Sequence, residues 1–174
     1  MALEIRRLLL EDDRSDFRSG NIELDRFFQR YAGQNQFRHH IGTTYVAADD
    51  ARVLGFATVA PSVLTVAELP ASKRKKLPQY PLPVLRLARL AVDERAQGRG
   101  IGSALLRAIF LLAHRMSEEL GCIGVVVDAK PEAIPFYEKL GFIDLEVDAG
   151  QLGDRPEPRP MFLELGAIPK PSDR

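Results

Sequence analysis

Residues 97–103, which read QGRGIGS, separate a strand-like stretch from a long helical pattern. The stretch before them, residues 84–92, is apolar at alternate positions, which is typical of a β-strand. From Ile101 to about Leu120 apolar residues recur at helical spacing, and Gly121 predicts the end of that helix. The predicted apolar face comprises Ile101, Ala104, Leu105, Ala108, Leu112, Met116 and Leu120. A strand, a glycine-rich turn and a helix in this order predict an α/β protein with a candidate ligand site at the turn.

The glycine-rich turn suits a diphosphate ligand. Backbone N–H groups at a helix N-terminus have no partner inside the helix, and the helix dipole adds about half a positive charge there. Glycine lets a phosphate approach the backbone closely, and Arg99 adds a full charge. A Walker loop requires a Lys after its last glycine, but Ser103 follows Gly102. Ser103 also stands where a dinucleotide fingerprint has its third glycine. A tight turn without a ligand and a nicotinamide dinucleotide site remain as alternatives, the second because Asp128 ends the next predicted strand.

The rest of the chain predicts a mixed sheet flanked by helices. The predicted strands are residues 3–10, 43–48, 53–59, 84–92, 122–127 and 161–165. The predicted helices follow Asn21, cover residues 71–77 within a proline-rich connector, and begin at Ile101 and at Pro131. Residues 49–52 form a predicted hairpin turn, so at least one strand pair is antiparallel. The expected order is β-α-β-β-β-α-β-α-β-β, which leaves out the short helix of the connector and counts two strands after the last helix.

Length and composition exclude several classes of protein. The chain has 174 residues, of which 45% are hydrophobic, and this length is typical of one domain with its own core. Cys122 is the only cysteine, which excludes an internal disulfide and a cysteine-rich metal site. No metal is expected. The first residues do not resemble a secretory signal and no apolar run approaches the length of a membrane span, so we expect a cytoplasmic protein without a membrane partner.

The net charge of zero conceals an uneven distribution. Residues 73–115 contain ten basic and two acidic residues, a net charge of +8, so the rest of the chain carries −8. A segment this basic indicates a polyanionic ligand, although the run from Lys73 to Lys76 could equally be a solvated loop. We also place Arg86 and Arg89 on one strand face, with Arg89 towards the acceptor or the coenzyme phosphates. Asp128 could orient the amine or cap the helix that begins at Pro131, and we expect the capping role.

Two motifs together resemble the GCN5-related N-acetyltransferase (GNAT) family. The first joins residues 89–92, RLAV, to the loop at residues 97–102; the second is residues 136–142, FYEKLGF. The resemblance implies a GNAT fold: a mixed central sheet whose fourth and fifth strands splay apart, with flanking helices. It implies an acetyltransferase domain over residues 1–150, with residues 151–174 forming a C-terminal strand and proline-rich tail of the same domain.

The same resemblance implies acetyl-CoA as co-substrate and assigns residues to it. The implied coenzyme-binding residues are Leu90, Ala91, Val92, Gln97, Gly98, Arg99, Gly100, Ile101, Gly102, Ser103 and Asp128. Tyr137 is the implied catalytic residue, a general acid for the departing thiolate, since a phenol with a pKa near 10 can donate that proton. The alternative is that Tyr137 is a core aromatic on an apolar helix face.

A narrower similarity concerns the acceptor. Residues 17–21 (FRSGN), 24–27 (LDRF), 44–46 (TYV) and 127–129 (VDA) are similar to the acetyltransferase toxins of toxin–antitoxin pairs. This similarity implies acetylation of the α-amine of aminoacyl-tRNA, arrest of translation, a ribbon-helix-helix antitoxin, and a homodimer as a candidate assembly. The predicted substrate-binding residues are Arg89, Lys73, Arg74, Lys75 and Lys76, with Arg18 and Arg26 as further candidates for the RNA backbone. A small-molecule amine, a protein N-terminus, and a non-catalytic acetyl-CoA-binding module are the alternatives.

Overall fold

A computed structural model describes residues 3–146 and 158–168 of the chain. Its strands are β1 (Leu3–Arg7), β2 (Thr43–Asp49), β3 (Arg52–Leu64), β4 (Leu82–Val92), β5 (Gly124–Ala129), β6 (Ile143–Asp144) and β7 (Arg159–Glu164). They hydrogen-bond in the order β1-β2-β3-β4-β5-β7-β6, and β4 is parallel to β5. The predicted mixed α/β sheet is confirmed. The chain divides into two compact units, residues 1–60 with 87–109, and residues 61–86 with 110–174.

The first unit is built on an antiparallel meander of β1, β2 and β3. Their register runs from Leu3 opposite Asp49 to Thr43 opposite Val59, with a bulge at Ala47 and Ala48. Three buried aromatic rings fill its core: Phe28 stacks on Phe56 at 4.4 Å between centroids, and Phe17 packs edge-on against Phe28 at 4.8 Å. Removing one of these rings by substitution to Ala would cost about 3–5 kcal/mol, so this cluster holds the meander together.

The helical segment after Asn21 differs from the regular helix that its spacing predicts. Asn21 caps it as expected, since its side chain accepts a hydrogen bond from the Leu24 amide at 3.1 Å. The segment then alternates α1 (Ile22–Arg26), a π-helical turn at Phe27–Tyr31, α2 (Ala32–Gln34) and a second π-helical turn at Asn35–His39. Hydrogen bonds from residue i to i+5 widen these turns and rotate the later residues, so Tyr31 is exposed although it continues the predicted apolar spacing.

The long helix α4 (Ile101–Glu119) forms where the sequence predicts it, but its buried face matches the predicted face only in part. The buried residues are Ile101, Leu105, Leu106, Ile109 and Ala113. Ile101 and Leu105 were predicted on this face. The other predicted residues within α4, namely Ala104, Ala108, Leu112 and Met116, are half-buried, and Leu120 lies beyond the last helical residue with 84% of its surface exposed. Gly121 has φ +111°, which confirms it as the glycine that ends the helix.

The second unit packs around the antiparallel pair β5 and β7. Their register runs from Gly124 opposite Glu164 to Ala129 opposite Arg159, and β6 joins the other edge of β7. Besides the part of α4 from residue 110 onward, it contains the short helices α3 (Ala71–Arg74) and α5 (Ile134–Lys139). Buried Leu64, Leu69, Val84, Val126 and Phe162 belong to one apolar cluster. The predicted last strand is present as β7. Residues 147–150 of the predicted domain, and residues 151–157 and 169–174 of the predicted tail, lie outside the described residues.

Candidate active site

The glycine-rich loop has a backbone that only glycine adopts without strain at two positions. Gly98 has φ +80° and Gly100 has φ +77°, and a Cβ atom at either position would meet nothing within 4 Å. The Ala104 amide donates to the Gly100 carbonyl at 3.0 Å as the first bond of α4. The amides of Ile101, Gly102 and Ser103 precede that bond and therefore have no acceptor within the helix. An open loop that leads into free amides fits a diphosphate group.

Gln97 ties this loop to the rest of its unit. Its Nε2 atom donates to the carbonyl of Ser19 at 3.1 Å and to the carbonyl of Val92 at 3.1 Å. The side chain thus joins the end of β4 to the segment before α1. The sequence assigns Gln97 to the coenzyme; the contacts of its side chain are with protein carbonyls, and they fix the path of the loop.

Asp93, at the end of β4, anchors the same region and was missed as a site residue by sequence reasoning. Its side chain is only 2% exposed, and its carboxylate accepts from Arg95 Nε at 2.9 Å, Arg95 Nη2 at 3.0 Å and the Arg18 amide at 3.3 Å. Chiefly because of the hydrogen bonds from Arg95, the pKa of Asp93 falls to about 2. The only sequence signal was an acidic residue directly after an apolar strand.

Replacing Asp93 with Asn is expected to lower the free energy of unfolding at pH 7 by about 2 kcal/mol. A carboxylate whose pKa is lowered in the folded state stabilises the protein above its unfolded value near 3.8, and this stabilisation is lost as the pH falls towards 2. Urea unfolding at pH 7 and at pH 3 measures the difference. The stability of the Asn variant should change less between these pH values than that of the wild type, and equal changes would contradict the role given to Asp93.

Tyr137 lies in α5 and is buried, with 5% of its surface exposed. Its ring packs edge-on against Phe136 at 5.3 Å and against Phe142 at 5.4 Å between centroids. Burial raises the pKa of the Tyr137 phenol well above its ordinary value, and the nearby charge of Asp128 raises it further. A phenol of ordinary pKa is already protonated at neutral pH, so this shift leaves Tyr137 in the state required of a proton donor.

Asp128 and Arg86 form an ion pair that the sequence did not predict. Arg86 Nη1 lies 2.6 Å from Asp128 Oδ1, while Lys130 is the N-cap of the turn that begins at Pro131. The predicted capping role of Asp128 is therefore wrong. The shared face for Arg86 and Arg89 is also wrong, because residues three apart in a regular strand point to opposite faces. The guanidinium carbon of Arg89 instead lies 3.7 Å from the centroid of the Phe27 ring.

The basic run at residues 73–76 is only partly available for a ligand. Lys73 Nζ lies 2.8 Å from Glu164 Oε1, and Arg74 Nη2 lies 2.7 Å from Glu146 Oε2. Arg74 also donates to the carbonyl of Leu69 at 2.6 Å. Lys75 and Lys76 are exposed and line a cavity of about 450 Å³ in the second unit. The sequence showed the charges of this run but not the acidic partners, which come from distant parts of the chain.

The described residues also bear on metal binding and membrane insertion. Within residues 3–146 and 158–168, no three His, Cys, Asp or Glu side chains come close enough together to hold a metal ion. In the same part of the chain, no helix combines the length and the apolar character needed to cross a membrane.

Comparison with known proteins defines the class of this chain. The sequence model of the protein family "Acetyltransferase (GNAT) domain" matches residues 40–144. The chain therefore belongs to the GNAT acetyltransferase family. Membership confirms the resemblance of the two motifs and makes the protein an acetyl-CoA-dependent N-acetyltransferase.

Within this family, the chain is similar to toxins that acetylate tRNA. The chain is 35% identical over 138 residues to a tRNA-acetylating toxin of Mycobacterium tuberculosis. The aligned residues cover 79% of this chain and 82% of the toxin. Among solved structures it is similar to AtaT complexed with acetyl-methionyl-tRNAfMet, with a TM-score of 0.84, 28% identity, and coverage of 96% of this chain and 97% of that one. It is also similar to a mutant AtaT toxin bound to the C-terminus of the antitoxin AtaR and acetyl-CoA, with a TM-score of 0.77, 25% identity, and coverage of 97% and 96%.

Proposed function

We propose that this protein transfers the acetyl group of acetyl-CoA to the α-amine of aminoacyl-tRNA and thereby arrests translation. The observation that carries the proposal is the 35% sequence identity between this chain and the mycobacterial tRNA-acetylating toxin over most of both chains. The similarity to AtaT in complex with acetyl-methionyl-tRNA supports the same acceptor. A cytoplasmic location follows from this acceptor. An antitoxin partner is part of the proposal, because AtaT binds one; a ribbon-helix-helix antitoxin and a homodimer are further proposals.

In this proposal, the glycine-rich loop, the start of α4 and the end of β4 hold the coenzyme. The amides that open α4 and the loop from Gly98 bind the diphosphate of the coenzyme. The backbone of Leu90 and Val92 pairs with the amides of the pantetheine arm as an added strand would. Arg99 contributes charge, while Gln97 shapes the loop through its contacts with Ser19 and Val92.

Attack of the α-amine on the thioester does not require a strong general base. An α-amine has a pKa near 8, so a useful fraction is neutral at pH 7 and can attack the thioester carbonyl. A C–N bond forms, the C–S bond breaks, and the amine loses one proton to solvent. The Tyr137 phenol gives its proton to the leaving thiolate and is reprotonated from water, so that the products are the amide and the free thiol.

Labelled acetyl-CoA tests the acceptor directly. We expect the purified protein to transfer label to aminoacylated tRNA but not to deacylated tRNA. Because the acceptor is a polyanion, kcat/KM should fall steeply as salt is raised from 50 to 200 mM. Label found only in added small amines or in protein N-termini, with a rate insensitive to salt, would exclude the RNA acceptor.

A further inference from the structure

Three arginines surround one concavity in the first unit, beside α1. The cavity has a volume of about 230 Å³. Its lining residues are Arg18, Ile22, Asp25, Arg26, Gln29 and Arg30, and we call it the arginine cavity. At about 30 Å³ for each water, it has room for a phosphate group with several waters. Arg26 and Arg30 lie one turn apart, where α1 passes into the first π-helical turn, and Arg18 comes from the preceding segment.

The arginine cavity carries an excess of positive charge. Asp25 is its one carboxylate, and that group already accepts from the Ser19 amide at 2.9 Å and from Ser19 Oγ at 2.7 Å. In the part of the chain that the structure describes, none of the three guanidinium groups forms an ion pair. Guanidinium groups match the geometry of a phosphate and are weakly hydrated, so three of them around one small cavity favour a phosphate-bearing ligand.

The position of the cavity is fixed relative to the glycine-rich loop. The Arg18 carbonyl accepts from the Glu94 amide at 2.8 Å, and the Arg18 amide donates to buried Asp93 at 3.3 Å. Gln97 adds its hydrogen bond to the carbonyl of the next residue, Ser19. The segment that supplies Arg18 is thus held by the residues between β4 and the loop. A phosphate in the cavity would be held at a defined place with respect to the coenzyme diphosphate.

We propose that the arginine cavity binds a phosphodiester of the tRNA acceptor and thereby positions the aminoacyl end for reaction. This inference rests on the proposed function and adds Arg30, a residue that the sequence analysis did not select. Phosphate contacts of this kind set the register of a nucleic acid rather than read its sequence. The cavity should therefore contribute to the affinity for every aminoacyl-tRNA to a similar extent.

Steady-state kinetics of the double variant Arg26→Gln/Arg30→Gln test this inference. KM for aminoacyl-tRNA should rise about tenfold or more, and the slope of log(kcat/KM) against log[salt] should become shallower by about two. KM for acetyl-CoA and the rate with an amino-acid amide as acceptor should stay within twofold of wild type. Arg52→Gln, an exposed arginine at the start of β3, is the matched control and should leave both slope and KM unchanged. Arg26→Lys/Arg30→Lys should recover most of the salt slope.

Other outcomes would overturn the inference. An unchanged KM for aminoacyl-tRNA in the double variant would show that the cavity does not bind the acceptor. A rise in KM for acetyl-CoA that is absent when acetyl-dephospho-coenzyme A is the donor would assign the cavity to the coenzyme's own phosphate. Polyglutamate and deacylated tRNA can be compared as inhibitors of the wild-type protein. If polyglutamate inhibits as strongly as deacylated tRNA, the natural ligand of the arginine cavity would be an acidic protein and not tRNA. Wild-type protein that acetylates the amide but no aminoacyl-tRNA would refute the proposed function itself.

Discussion

Replacing Tyr137 with Phe should lower kcat about 100-fold or more, which is at least about 2.7 kcal/mol of lost transition-state stabilisation. The substitution removes only the hydroxyl group, so the ring keeps its contacts with Phe136 and Phe142. The leaving thiolate then has no positioned proton donor. Stopped-time assays with aminoacyl-tRNA measure kcat, and calorimetry measures the affinity for acetyl-CoA, which should remain within a few-fold of wild type.

Growth provides a second readout of the same variant. Expression of the wild-type protein should arrest growth, and Tyr137→Phe should relieve the arrest. Tyr80→Phe is the matched control, because Tyr80 is 64% exposed and lies outside every helix and strand. A Tyr137→Phe protein that turns over within a few-fold of wild type would remove the phenol from the chemistry and leave it a buried core aromatic.

Replacing Gly100 with Val should weaken acetyl-CoA binding by about 100-fold. Gly100 has φ +77°, where a β-branched residue is strained by roughly 1–2 kcal/mol, and the loop must either distort or present a side chain to the diphosphate. Either change misaligns the amides that open α4. Isothermal titration with acetyl-CoA measures the loss, with circular dichroism as the check that α4 still forms.

Gly166 is the matched position for this test. A Cβ at Gly166 would also meet nothing within 4 Å, but this glycine has no positive φ and lies in a turn after β7. Gly166→Val should therefore leave the affinity for acetyl-CoA unchanged. Equal affinities for Gly100→Val and wild type would refute the assignment of the loop to the coenzyme.

The features predicted correctly from the sequence are those that depend on neighbouring residues. The strand before the loop and the start of α4 follow from local backbone preferences and from helix-end chemistry. Asn21 and Gly121 were identified for the same reason, since a cap depends only on the residues next to it. The paired loop and tyrosine motifs then gave the family.

The errors concern contacts between residues far apart in the chain. Asp128 pairs with Arg86, 42 residues away, and Lys73 pairs with Glu164, 91 residues away, so neither partner could be read from local spacing. The π-helical turns were missed because an apolar pattern does not distinguish i+4 from i+5 hydrogen bonds at a few positions. Arg30 was not predicted as a binding residue, because the role proposed for it depends on the cavity that it lines together with Arg18 and Arg26.

The central claim is that the acetyl group is placed on the α-amine of the amino acid carried by tRNA. Mass spectrometry of the 3′-terminal aminoacyl-adenosine, released by nuclease after incubation with acetyl-CoA, measures this directly. The claim predicts a terminal fragment that carries one acetyl group on the amino acid nitrogen, absent with Tyr137→Phe. An unmodified terminal fragment, with acetyl groups on other amines in the mixture, would contradict it.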